Sequence, residues 1–406
     1  MRILFLSRWF PYPPDNGSRI RVYNLLRSLS ARHYLHLISF TDDIQGARNA
    51  IEHLRGWIEH IELVHYRPFQ PRRKEALAGF LSPYPRSMVD TFSFDMNEQV
   101  EIYIKTNTYD VVIGSQIDIT PYLRATQHPC IVLEELELTG PYDRFMKVES
   151  GYRKIRAGLT WLKLSRYVGG FPGFIRGVTV VSQQEEQRAD TILKGALPVK
   201  VVPNGIDCEY YRGDFGDPED YSLVYAGALT YGANFDAMAH FLTNIYPLIQ
   251  LEIPQVKLYI TGKLDGVPLE RLPKLPGVIF TGYLPDIRPR VAQSWVSVAP
   301  LRVGGGTRLK ILESLALGTP VVATSKGAEG LELDPGVNLL IADQPADFAQ
   351  KVVSVLRDRT LRDNLGLQGR TAVNKRYNWA NIGDEFNQFI EELVRGKSGL
   401  KGDGIN

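Results

Sequence analysis

The 406-residue chain has only two cysteines, Cys130 and Cys208. With no paired spacing they cannot staple a chain of this length, so a secreted disulfide scaffold is excluded and both read as small buried residues of a reducing compartment. No segment reaches the ~18 apolar residues that a membrane helix requires. The opening stretch from Met1 to Phe10 is broken by Arg8 and followed by Pro11, Pro13 and Pro14, which makes it too short and wrongly flanked for a signal peptide. The expected location is therefore cytoplasmic. The seven histidines show no metal spacing and no Cys–His cluster exists, so neither a metal nor another cofactor is expected. Charge of one sign is lacking too: 47 Lys and Arg stand against 45 Asp and Glu, a net +2, which argues against a nucleic-acid binder. With 44% apolar and 23% charged residues, a disordered chain is excluded and two or three domains are expected.

Short apolar runs alternate with segments of helical period. Arg2 to Ser7, Tyr34 to Phe40, Val111 to Gly114, Cys130 to Leu133 and Val178 to Val181 read as strands, with a helix at Ser18 to Ser30. The pattern restarts with strands at Ser222 to Tyr225, Lys257 to Thr261, Val278 to Phe280, Val296 to Ala299 and Pro320 to Ala323. Helices are expected there at Asn234 to Leu248, Leu309 to Leu317 and Asp347 to Leu356. Such alternation means parallel sheets, and two runs of it mean two doubly wound α/β domains. The polar stretch Tyr210 to Tyr221 reads as the linker. The domains are then 1–209 and 218–377, followed by a helix over 378–395 that returns to the first domain and a flexible tail over 396–406.

The most informative segment runs from Ala299 to Val322. A strand ends, Gly304, Gly305 and Gly306 open a loop, Thr307 can cap a helix and Gly318 ends it. Three glycines make sense where a ligand approaches main-chain NH groups closely. The helix N-terminus favours an anion, yet Arg308 and Lys310 put full positive charges against the macrodipole. That conflict is resolved by an anionic ligand. The alternative is a surface helix with two solvated cations. The dinucleotide fingerprint fails here, because its third glycine position holds Leu309, and no Walker loop occurs anywhere.

This segment, with Thr324 to Gly330 after it, resembles the donor-site helix of family-4 glycosyltransferases. Agreement extends along the chain: Pro11 to Gly17, Val178 to Ser182, Val202 to Asp207, Thr281 to Asp286, and Tyr377-Asn378-Trp379. The resemblance implies the GT-B architecture, two Rossmann-like domains facing each other across a cleft. It also implies transfer of a sugar, with retention of configuration, from a nucleoside diphosphate sugar to an acceptor hydroxyl. UDP-sugars are the expected donors, as co-substrate without a metal, and synthesis of cell-surface polysaccharide or glycolipid is the expected setting.

The same resemblance assigns roles. Glu313 matches the second of two family glutamates eight positions apart and is expected to accept hydrogen bonds from the donor ribose. The first would fall at Gly305, so the sugar must be held by backbone NH groups of Gly305, Gly306 and Thr307 or by other side chains. The family's phosphate-gripping cations after the first strand of the second domain are missing between Tyr225 and Asn234. Arg308 and Lys310 are expected to replace them, with Gly227 in the same loop. Gly17 matches the glycine that lets the first domain's loop approach the diphosphate and acceptor, followed by Arg19 and Arg21, which as helix cations are equally readable as solvated. Tyr283 and Leu284 match the turn whose backbone reads the nucleobase.

On the acceptor side the family's histidine is absent, and Gln116 or Asp118 stand in its place. Glu134, Glu135 and Glu137 form a candidate acidic cluster to orient or deprotonate the acceptor hydroxyl, Glu135 foremost, with a solvated helix start as the alternative. From Arg144 to Arg176 eight cations face Glu149 alone, a local +7, interleaved with apolar residues. Residues 144–176 therefore read either as a peripheral contact with the inner face of an anionic membrane, or with a lipid-linked acceptor, or as a basic hairpin packed on its own domain. Other readings of the chain are a non-catalytic GT-B subunit that only binds nucleotide, and a nucleotide-sugar epimerase or phosphorylase.

Overall fold

The computed structural model describes residues 1–148, 150–304 and 308–399. Each of two compact units is built on one wholly parallel sheet. The first, Met1–Asn204 with the chain from Ile382 onward, holds strands β1 (Arg2–Ser7), β2 (Tyr34–Thr41), β3 (His60–His65), β4 (Val111–Ser115), β5 (Ile131–Glu134), β6 (Gly177–Val180) and β7 (Val199–Val201), in spatial order 3-2-1-4-5-6-7. The second, Gly205–Asn381, holds β8 (Glu219–Ala226), β9 (Lys257–Thr261), β10 (Val278–Gly282), β11 (Ser294–Ala299), β12 (Val321–Ala323) and β13 (Leu340–Ile341), in order 10-9-8-11-12-13.

Both orders reverse once, between β1 and β4 and between β8 and β11. In doubly wound sheets ligands bind outside the carboxyl ends of the strands at that reversal. In the first sheet the register aligns Ser7 with Ser115 and Ser115 with Glu134. The residues that follow these three, Arg8, Gln116 and Glu135, are therefore delivered side by side. In the second sheet Ala226 pairs with Thr261 and Ala299 with Ala323, so Gly227, Gly262, Pro300 and Thr324 emerge along one edge.

Three strands are absent from the sequence reading: β3, β7 and β13. All three lie at sheet edges. There β3 carries His60, Glu62 and His65 among its apolar residues, and β7 and β13 have three and two residues, too few for a pattern. The helix expected over Asn234 to Leu248 is instead Gly232–His240, a π segment Phe241–Ile245 and a helix Tyr246–Glu252. Pro247, which lacks an amide to donate, stands where the wider winding ends.

The division between units falls earlier than the polar stretch suggests. Ile206 pairs with Asn378, and Ile206 and Cys208 are buried with Leu312, Leu315 and Val373, so residues 205–209 belong to the second unit. The last helix runs Trp379–Gly399, beyond the expected 395 and into the expected tail, whose residues 400–406 lie outside the described residues. In the first unit Asn387 Nδ2 donates to Ser28 Oγ at 2.8 Å, and a Cβ at Gly383 would lie 2.2 Å from that oxygen.

Asn16 caps the helix Gly17–Ser30 through its side-chain oxygen, which accepts from Arg19 N at 3.1 Å. That helix buries Val22, Leu25, Leu26 and Leu29, and the adjoining Arg21 goes in with them. Arg21 is thus fully buried rather than solvated. Its Nε donates to Glu134 Oε1 at 2.5 Å, while one terminal nitrogen reaches Val202 O at 2.9 Å and Asn204 Oδ1 at 3.1 Å. Glu134, also fully buried, accepts from Ser115 Oγ at 2.7 Å. Removing one partner strands the other charge without water, so Arg21→Ala is expected to cost about 3–5 kcal/mol. Chemical denaturation of the variant checks this; a loss under about 1 kcal/mol contradicts it.

Candidate functional site

In the second unit the helix Leu309–Ala316 buries Ile311, Leu312 and Leu315. Ser314 Oγ donates to Ser297 Oγ on β11 at 2.9 Å. Lys310 lies one turn before Ser314 and shares its face, so its ammonium passes over the sheet to the end of β8. There it donates to Asn234 Oδ1 at 2.8 Å and to Tyr225 OH at 3.1 Å, and Tyr225 OH donates to the same Asn234 oxygen at 2.8 Å. A Cβ at Gly227 would lie 2.8 Å from Lys310 Nζ. Burial, aided by the charge of Arg308 and opposed by that of Glu313, lowers Lys310 to about 8. Asn234 and Tyr225 are neutral, so the ammonium stands at the strand ends against oxygens of low charge.

Arg308 is at the N-cap position, where Thr307 was expected. It is 6% exposed, and its guanidinium donates to Gly304 O at 3.2 Å and Glu329 Oε2 at 3.4 Å, an oxygen that also pairs with Lys326. Burial lowers its pKa. Glu313, three residues after Lys310 on the same helix, accepts from Tyr211 OH through Oε1 at 3.0 Å, and burial raises its carboxyl.

Gly227, Lys310 and Arg308 thus gather at the carboxyl ends of β8 and β11. Tyr283 and Leu284 follow Gly282 at the end of β10, on the same sheet edge but two strands from β8, about 10 Å at ordinary strand spacing. Gly282 has φ +72°, and Tyr283 is 65% exposed. Gly305, Gly306 and Thr307 lie outside the described residues.

In the first unit Trp9 Nε1 donates to Gln116 Oε1 at 3.0 Å, and Gln116 Nε2 donates to Glu135 Oε2 at 3.0 Å. Gln116 and Glu135 have φ of +72° and +59°, conformations that cost energy for residues with a Cβ and persist where the surroundings impose them. Burial, then the charge of Glu134, raises Glu135 to about 7, against the opposing effects of Arg21 and Gln116. The three glutamates are not a helix start: Glu134 ends β5, and the next helix begins at Thr139. Glu134 serves Arg21 instead. Asp118 lies in the turn Ile117–Ile119, its carboxyl raised by burial against the opposing charge of Arg8. The Arg8 guanidinium sits 3.0 Å from the centre of the Tyr66 ring. Gly17 opens its helix exposed, with open space around its Cβ position. Among the described residues no cluster of His, Cys, Asp and Glu is placed to hold a metal ion.

Sequence reasoning missed Arg8, Trp9, Tyr225, Asn234 and Glu329 as members of these clusters. Their signal was available only in part: a tyrosine ending a strand, and an asparagine in the first turns of the next helix.

The family described as Glycosyl transferases group 1 matches residues 220–358. A curated relative, the uncharacterized 44.6 kDa protein in cps region of Klebsiella pneumoniae, is 24% identical over 152 residues, a match that spans 36% of this chain and 39% of that protein's length. Among solved structures, Anabaena Alr3699/HepE in complex with UDP superposes with a TM-score of 0.66 at 16% identity, covering 97% of this chain and 100% of that one. Sucrose-phosphate synthase from Thermosynechococcus elongatus superposes with a TM-score of 0.65 at 17% identity, covering 98% and 100%. The fold is that of GT-B glycosyltransferases, and residues 220–358 are similar to the group 1 glycosyltransferases.

Proposed function

We propose that the protein is a retaining glycosyltransferase of the family-4 kind, moving a hexosyl group from a UDP-sugar to an acceptor hydroxyl. The observation that carries this reading is the half-buried Lys310 ammonium at the ends of β8 and β11, beside Arg308 and hydrogen-bonded to neutral oxygens. A diphosphate adds to the negative charge that Glu313 alone brings to Lys310. As the glycosidic bond to the diphosphate breaks, charge grows on the leaving phosphate oxygens, and Arg308 and Lys310 stabilise it without a metal. Glu313, held through Oε1 by Tyr211, keeps Oε2 for the ribose hydroxyls. In the first unit Glu135 accepts a hydrogen bond from the acceptor hydroxyl and takes up its proton as the hydroxyl oxygen bonds to the sugar carbon.

Binding should be linked to protonation of Lys310. In the free protein this lysine loses its proton above about 8, whereas a neighbouring diphosphate raises its pKa. Calorimetric titration with UDP should therefore show proton uptake above about pH 8 and an affinity that falls as pH rises, approaching tenfold per pH unit, or about 1.4 kcal/mol. Affinity independent of pH from about 7 to 9 would count against the assignment. A second reading, a nucleotide-binding subunit without catalysis, draws on Gly305 standing where the family has its first glutamate. Tight UDP binding with no UDP released from any donor, across a broad acceptor panel, would favour it.

A further inference from the structure

A cavity of about 450 Å³ in the first unit begins at Ile117 and Asp118, directly after the Gln116 turn, and is lined farther on by Glu137, Arg144, Arg153 and Arg156. Arg144, Arg153 and Arg156 outnumber the carboxylates Asp118 and Glu137 in this lining, and an arginine excess fits a phosphate, which accepts in the geometry that arginine donates. A second cavity of about 370 Å³ shares Met88 with the first and is walled by Tyr84, Val89, Phe92, Pro121 and Tyr167, with Arg124 its one charged residue. Its character is apolar.

The helix Tyr152–Gly169 supplies the reason for the pairing. Its inner face buries Leu164 and Val168, yet Tyr152, Ile155, Leu159 and Leu162 on the opposite face are 70%, 64%, 51% and 50% exposed. The spacing of three and four puts them on a single stripe. The helix carries Arg153, Lys154, Arg156, Lys163 and Arg166 and no acidic residue. Lys163 Nζ donates to Gly79 O and Phe80 O, both at 3.0 Å, which ties the helix to a segment where Phe80 and Leu81 are also exposed. An apolar outward stripe edged only by cations matches an anionic bilayer surface. The helix packs on its own domain and presents a second apolar face as well.

We propose that the acceptor is a lipid-linked saccharide whose phosphate is held by Arg144, Arg153 and Arg156, with its chain leaving along the apolar cavity into a membrane on which the Tyr152–Leu162 stripe rests. This rests on the reading of the Gln116–Glu135 end as the acceptor side. Binding of dodecyl phosphate, inorganic phosphate and dodecyl glucoside to the full chain tests it, together with sedimentation with phosphatidylcholine vesicles with and without phosphatidylglycerol. Dodecyl phosphate should bind at least about tenfold tighter than either other probe, and Arg153→Gln with Arg156→Gln should remove that preference. Ile155→Ser with Leu159→Ser should lower association with the anionic vesicles about tenfold or more, at an unchanged melting temperature. Inorganic phosphate binding as tightly as dodecyl phosphate would overturn the lipid, and dodecyl glucoside binding as tightly would overturn the phosphate site. UDP binding, measured on the same variants, should be unchanged; a wild-type chain that binds no UDP would fault the donor reading instead.

Discussion

Replacing Arg308 and Lys310 together by alanine is expected to lower donor turnover by about 10³-fold or more. Each oxyanion-stabilising donor is worth roughly 10²–10³ in rate where water is excluded, and these two are the cations beside Gly227 and Gly304. The fold should survive the change. Burial already disfavours the charged form of Lys310, so between about pH 8 and the unfolded lysine value the unfolded chain holds the extra proton, and stability rises with pH across that window. Removing the charge at about pH 7 therefore relieves a cost, and Lys310→Met, which keeps the volume, should melt no lower than wild type. Loss of Arg308 leaves Glu329 with its partner Lys326. Release of UDP from a UDP-sugar, followed beside thermal unfolding, measures both. Near-wild-type turnover in the double variant would remove the two cations from the mechanism.

Glu135→Gln should cost about 10²–10⁴ in kcat with acceptor present, the range for a positioned acid–base group, and leave UDP affinity unchanged. The pH profile separates its role from simple packing. Burial holds the Glu135 carboxyl up at about 7, and only its carboxylate can take the hydroxyl proton, so wild-type kcat/KM should rise with pH through about 7. The glutamine variant should lack that limb. A variant that keeps both its rate and the limb would show that Gln116 and Trp9 hold Glu135 for structural reasons alone.

The alternation of strand and helix was legible in the chain because parallel strands buried on both faces read as continuous apolar runs, as in β1, β4 and β5. Edge strands β3, β7 and β13 were not, because exposure and brevity erase that signal. Arg308 and Lys310 stood out by conflicting with the helix dipole. The burial of Arg21 could not be read, since its partner Glu134 lies 113 positions away and only the sheet register brings them together. Separations of 107 and 19 positions hid the Trp9–Gln116–Glu135 chain: each residue lies just past the end of a different strand, and adjacency arises from topology alone. Lys310 reaching Asn234 and Tyr225 is a third case, across helix and sheet.

The central claim is that the second unit binds a nucleoside diphosphate at Lys310 and Arg308. The most direct measurement is the melting temperature of the full chain with UDP, GDP, ADP and their sugars, because a ligand that binds only the folded state stabilises it by about 2.7 kcal/mol at roughly a hundred times its Kd. The account predicts a clear rise with UDP and UDP-sugars that the Arg308→Ala, Lys310→Ala variant does not show. No rise with any of these nucleotides in the wild-type chain would contradict it.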